Sequence, residues 1–403
     1  MITRSALICL TAFLIGCAAD KPARATARID TLPGGIVRTI SDAPVGWSDS
    51  TSGWKLVLLH EIQPPEGDSG ELFDPQDLAM NDRGEVFVKD QKPAVIKVFD
   101  PEGNYQRSIG REGDGPGEFR VAFLAVRGDT VITQDPQNSR VSTFDARTGR
   151  MLATWRSTCC YWYPIGLDGQ GRVVFFAMGQ DSTVPNAQAI VRGRLDGTGI
   201  DTAWATQRPR DEARAWTVTQ GKEMQFMMAV PYQTDDIHGP DPQGFLLSGW
   251  NGEYLIRTTR DGRDTVALFG RAWTPEPVTG SERSAIVEKR IKEQEGNGVP
   301  ESVLRAAFKP EYIPDTKPSF TSIEADPAGN RWIRLESSDT LNVHYDVFDP
   351  AGRWLGPVTV PASQWSVAYQ RPAWGRDRVA VIGEGEDGRP VVRVFSIEKP
   401  PVD

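Results

Sequence analysis

Apolar and polar residues alternate in short runs along most of the chain, and clusters of Asp, Asn and Gly separate the runs. The clearest stretch reads Asp77-Leu-Ala-Met-Asn-Asp-Arg-Gly84, then Glu85-Val-Phe-Val88, Ala94-Val-Ile-Lys-Val-Phe-Asp100, Pro-Glu-Gly103 and Tyr105–Ile109. A period of two marks a strand with one buried face. The punctuating residues make turns for a physical reason: Gly tolerates positive φ, and Asp or Asn bonds its own backbone. The same unit returns over Leu124–Trp155 and again from Ile165, Ile237, Thr321 and Trp374. With residues 272–318 set aside, the stretch 54–399 divides into six units of about 50 residues, near the period of known propeller repeats. A single four-stranded unit cannot bury both faces, so neighbours must stack around an axis, and a closed ring leaves only short edges. The pattern therefore predicts one all-β domain over 53–400, a six-bladed β-propeller. The sixth unit is one strand short, and Trp54–Ile62 stands unused before the first. That segment is the expected fourth strand, joining the two ends of the chain in one blade.

Residues 272–318 break the period between the fourth and fifth units. They begin with Pro275 and Pro277, then show helix-forming composition over Ser281–Glu295, with Thr279 or Ser281 as cap, Glu282 early, Lys289, Arg290 and Lys292 late, and Gly296 beyond. Pro300–Phe308 reads as a second short helix. The insertion is expected to be either a flap on one rim or a lid over the channel mouth.

The N-terminus reads as an address. Arg4 precedes the apolar run Ala6–Leu14, which is too short to span a bilayer core of about 20 residues. Leu14-Ile15-Gly16-Cys17 closes it and resembles the lipobox of bacterial lipoproteins. That resemblance implies cleavage before Cys17, a lipid on its thiol and a cell-envelope location. Ala18 and Ala19 carry no retention aspartate, which points to the outer membrane. Residues 1–17 are then signal peptide, and 18–52, poor in periodic apolar positions, are expected to be a flexible tether. Cys159 and Cys160 remain for the folded part. Adjacent cysteines form either a strained vicinal disulfide or two small buried thiols.

The run Ile109-Gly-Arg-Glu-Gly-Asp-Gly-Pro-Gly-Glu-Phe119 resembles the linker of the NHL repeat, and the chain as a whole resembles the six-bladed NHL-like propeller lipoproteins of bacteria. Its glycines would let an outer strand cross to the next blade, with Phe119 plugging the gap. The resemblance implies fold and says little of function, because this fold hosts enzymes and binding scaffolds alike.

Composition narrows the partners. Lys and Arg number 45 against 54 Asp and Glu, a net charge of −9, which argues against a nucleic-acid partner. Just before each inner strand stand Asp74, Arg120, Tyr161 with Trp162, Asp235, Asp236 and His238, Lys317, and Arg371 with Trp374. Aromatic walls with three cations suit an anionic or sugar-like ligand. The alternative is that the carboxylates pair with the cations as a structural network. The three histidines stand far apart, and no His-Glu-x-x-His, Gly-x-Ser-x-Gly or Walker-type motif occurs. The expected function is therefore a membrane-anchored module binding a protein, peptide or glycan at the channel mouth. The alternative is a lactonase-like hydrolase or lyase, with Asp235, Asp236 and His238 near an axial Ca or Zn.

Overall fold

In the computed structural model the described residues are 27–157, 166–168, 170–178, 188–205, 215–220, 224–260, 264–365 and 371–400. Six blades of four antiparallel strands form the ring, five of them as four-stranded sheets and the fourth within a six-stranded sheet. Their inner strands are Pro75–Met80, Phe123–Arg127, Gly166–Leu167, Asp236–Pro240, Phe320–Ala325 and Ala373–Trp374. Burial follows position in the blade. The middle strands Val86–Gln91 and Ala94–Phe99 are buried almost throughout, whereas the outer strand Met151–Arg156 alternates. A middle strand is covered on both faces by neighbouring blades, and an outer one meets water on alternate residues.

Each seam between blades is filled by its own apolar cluster. Ala79, Phe87 and Ile96 of blade 1 meet Leu124, Val131 and Phe144 of blade 2, with Phe119 wedged between them. Phe119 is 1% exposed, and a Cβ added to Gly110 would lie 2.3 Å from its ring, so the linker glycine is fixed by close approach as well as by its φ of +69°. The seam of blades 5 and 6 is the most aromatic: Trp332 stacks on Trp374 at 4.3 Å, beside Tyr345, Trp365 and Phe395.

The ring closes as the pattern requires. Lys55–Ile62 pairs antiparallel with Pro390–Glu398, Leu56 opposite Ile397 and Ile62 opposite Val392. Here a strand from the start of the chain completes the last blade.

Two features depart from the sequence expectation. Of the tether assigned to 18–52, residues 27–41 form a hairpin, Ala27–Leu32 with Ile36–Ser41, whose second strand extends blade 4 in parallel, Val37 opposite Ala267. The chain then crosses blade 5, where the Trp47 indole donates to the Pro357 carbonyl at 2.7 Å and stacks on Trp54. The hairpin is held by backbone pairing to an open sheet edge. Its buried residues are Thr39 and Ser41, so no apolar rhythm announces it.

The insertion is also larger than expected. Helices α1 (Gly280–Glu293) and α2 (Glu301–Ala307) form where anticipated, with Thr279 as the cap accepting from the Glu282 amide. They share a core with a second hairpin, Ala215–Gln220 and Met224–Ala229, which precedes blade 4. Trp216, Val287, Ile291, Leu304 and Phe308 are buried together, and the Trp216 indole donates to the Lys309 carbonyl. Among the described residues no helix is long and apolar enough to cross a membrane.

Candidate functional site

The inner strands converge on the axis, and there a cavity of about 440 Å³ is bounded by residues of all six blades. Its walls come mostly from the finishing ends of these strands, Met80 and Asp82, Arg127, Leu167 and Asp168, Pro240, Ile323 and Glu324, and Trp374, joined by Arg371 from just before the sixth inner strand. This is the opposite end of the channel from the one the sequence favours. Of the described residues expected at the site, the structure brings Arg371 and Trp374 to this cavity and none of the others. No residue of the helical insertion lines it, so the insertion is no lid here.

The others have local employment. Asp74 pairs with Lys92 at 3.1 Å. Arg120 grips Asp114 through two bonds of 2.6 and 2.7 Å. Asp235 accepts from the Asp236 amide, and the backbone of Asp235 is held by the Asn251 side chain. Lys317, 1% exposed, bridges Glu276 at 2.8 Å and Glu282 at 2.9 Å and so ties the helical insertion to blade 5. Each of Asp74, Arg120 and Lys317 is thus paired locally, with residues other than the expected set, so the expected carboxylates and cations do not form one network with each other. His238 is buried beside Arg371 in a small crevice between blades 3 and 4. Among the described residues no three His, Cys, Asp or Glu side chains gather as a metal requires, so Asp235, Asp236 and His238 do not form the metal site of the alternative reading. Cys17, Cys159, Cys160, Tyr161 and Trp162 lie outside the described residues.

Around Arg371 the polar groups are tightly assigned. Glu324 accepts from the Ser322 hydroxyl and from the Trp374 indole, both at 2.8 Å. Asp77 lies just beneath and clamps two blades, accepting the amides of Leu78 at 2.9 Å and Leu124 at 2.6 Å. Burial pushes the Asp77 carboxyl up to about 6, against the pull of those amides and of the Arg371 and Lys89 charges. Burial also raises the Glu324 carboxyl and lowers the Arg371 guanidinium, which Glu324 and Asp77 oppose through space. Desolvation brings Lys89 down to about 8, partly offset by Asp77 and neighbouring aspartates. Asp168 is spent on Arg172 at 2.7 Å, and its backbone carbonyl receives the Arg127 guanidinium.

Sequence reasoning missed Glu324, Arg127 and Asp168. Glu324 had a signal: an acid inside the otherwise apolar or neutral inner strand Phe320–Ala325 is a buried polar group needing a reason. Arg127 ends an inner strand and Asp168 opens the turn after one, places where charged residues are ordinary.

Comparison with known proteins agrees with the fold. A family described as a 6-bladed beta-propeller matches residues 67–161, which span blades 1 and 2. No curated protein matches the chain. Similar solved structures include a member of the duf4221 family from Bacteroides vulgatus, 11% identical, covering 87% of this chain and 99% of that one with a TM-score of 0.49. Others are a candidate exported protein from Bacteroides fragilis (9% identical, 89% and 99% covered, TM-score 0.48) and the PQQ-bound aldose sugar dehydrogenase of Streptomyces coelicolor (12%, 86% and 99%, TM-score 0.42). Identities this low carry no activity across.

Proposed function

We propose that the protein is a lipid-anchored module of the bacterial cell envelope, probing its surroundings with a propeller whose axial cavity binds part of a protein, peptide or glycan. The observation that carries this reading is the cavity itself. Six blades meet there, its volume suits a small ligand or a few residues of a larger one, and its walls mix apolar patches with several charged and polar side chains from different blades. The anchor rests on the Leu14–Cys17 pattern, and placement at the outer membrane on Ala18 and Ala19. The NHL-like linker supports kinship with the propeller lipoproteins. In this reading the propeller is a rigid holder and the loops at the cavity mouth select the ligand.

Two measurements on the full chain test the proposal. Cys17→Ser is expected to move the protein from the membrane pellet to the soluble fraction, and a variant that still pellets overturns the anchor. Native mass spectrometry of the purified protein is expected to show a bound species that a bulky substitution at Leu167 displaces. A species retained by that variant would place binding elsewhere.

A further inference from the structure

The cations near the axis differ in one respect. Arg127 donates to the Asp168 carbonyl, Lys89 to Gln91, and Arg192 to the Arg260 carbonyl. The Arg371 guanidinium makes no hydrogen bond to any described residue, and only through-space attraction links it to Glu324 and Asp77. Neither acid forms the planar, two-oxygen pair that a guanidinium prefers: their oxygens are oriented toward Ser322, Trp374, Leu78 and Leu124 instead. A guanidinium removed from bulk water without such a partner is costly, and this one borders an open cavity.

We propose that the axial cavity takes a ligand by a free carboxylate carried on an apolar body, with the carboxylate seated on Arg371. This rests on the binding-module reading and names its ligand class. The body is set by the part of the wall where Met80, Leu124, Pro240 and Ile323 offer hydrocarbon surface, while Asp82, Asp168 and Glu324 on the same lining would repel a second negative group. A sugar ring would instead need an open aromatic face. Trp374 has one face against Trp332 at 4.3 Å and its indole N–H on Glu324, so it offers neither a free platform nor a donor. The chemistry is shared by an apolar C-terminal peptide end and by a small organic acid.

The test is calorimetric titration of the full-length protein with N-acetyl-Phe-Leu and its C-terminal amide, and with hexanoate and hexanamide. Each acid is expected to bind at least about tenfold tighter than its amide, the range for a charge-assisted hydrogen bond. Arg371→Gln should erase that preference, and Arg305→Gln on α2, which does not line the cavity, should leave it within about twofold. Should Arg371→Gln fail to fold, the acid–amide ratio of the natural protein still decides. A tight peptide acid with weak hexanoate identifies a chain end, and similar affinities for both identify a small acid. Equal binding of acids and amides, a preference that survives Arg371→Gln, or no binding of either acid at millimolar concentration overturns the carboxylate. A neutral peptide or glycan bound without head-group preference would remove the carboxylate and leave the binding module standing.

Discussion

Where the inner strands begin, Asp74, Arg120 and Lys317 each meet an opposite charge a few ångströms away. At the cavity, which lies toward their finishing ends, Arg371 reaches in from just before the sixth strand while Glu324 and Asp77 beside it are bonded to neutral donors. The same residue types thus serve architecture at one end and recognition at the other. The difference is not how many charges are present but whether each has been spent. An ion pair that closes on itself holds a loop, and a guanidinium left in a half-dry wall awaits an oxygen.

The largest effect should come from breaking the architectural end. Lys317→Met leaves Glu276 and Glu282 facing each other without their shared cation and removes the charge lying 5.4 Å over the Tyr232 ring. Glu276 is 41% exposed and can rehydrate, so the loss is expected near 2 kcal/mol, below that of a fully buried pair. The thermal midpoint should fall, and amide exchange should quicken in α1 and α2 before it does in the blades. The acid-over-amide preference at the axis should stay. If that preference moves with the midpoint, the two ends are not separable.

The second test sharpens the axial end through pH. The Asp77 carboxyl is raised from 3.8 to about 6, so the unfolded chain releases this proton before the folded one does. Its contribution to stability is therefore greatest below about pH 4, declines as pH climbs to about 6, and is flat above. Asp77→Asn should remove about 1–2 kcal/mol of that decline, read as a flatter dependence of the unfolding midpoint on pH. Glu324 shifts in the same direction and keeps its own share. The charged groups facing Asp77 are Arg371 from the sixth blade and Lys89 from the next strand of its own. Neutralising Asp77 leaves Arg371 less compensated, so carboxylate affinity should rise as pH falls through 6. Identical pH profiles for Asp77→Asn and the natural protein would place the titration elsewhere.

Much of the fold was legible because its signals are local. Period-two runs recur along the chain, and turns such as Asp326-Pro-Ala-Gly-Asn330, where the Asp326 carboxylate holds the Asn330 amide and side chain, have counterparts at Asp100, Asp168 and Asp349. The latch was legible as arithmetic, one strand too few at one end and one too many at the other. What escaped was decided at a distance. The hairpin at 27–41 buries Thr39 and Ser41 rather than an apolar stripe. The hairpin of Trp216 finds its core in Phe308, far along the chain. The candidate site was half legible for the same reason. Composition shows that Arg120, Lys317 and Arg371 are charged, but Lys317 is answered by Glu276 across 41 positions, and no spacing rule reveals that Arg371 has no hydrogen-bonded partner among the described residues.

The smallest effect is the sharpest check on the contrast between the ends. Arg120 and Asp114 make as good a bidentate pair as the chain contains, yet both side chains are about half exposed. Their attraction is screened by water and salt, and holding two long side chains in register costs entropy. Arg120→Gln should therefore leave the unfolding midpoint unchanged within error. The Asp114 carboxyl, now held low mainly by its bond to Arg120, should drift back toward its ordinary value, a change that carbon-detected NMR titration would read. Binding of the peptide acid should not change. Were Arg120→Gln to weaken that binding as Arg371→Gln does, the starting end of the axis would share in recognition, and the separation drawn between spent and unspent charges would fail at its plainest example.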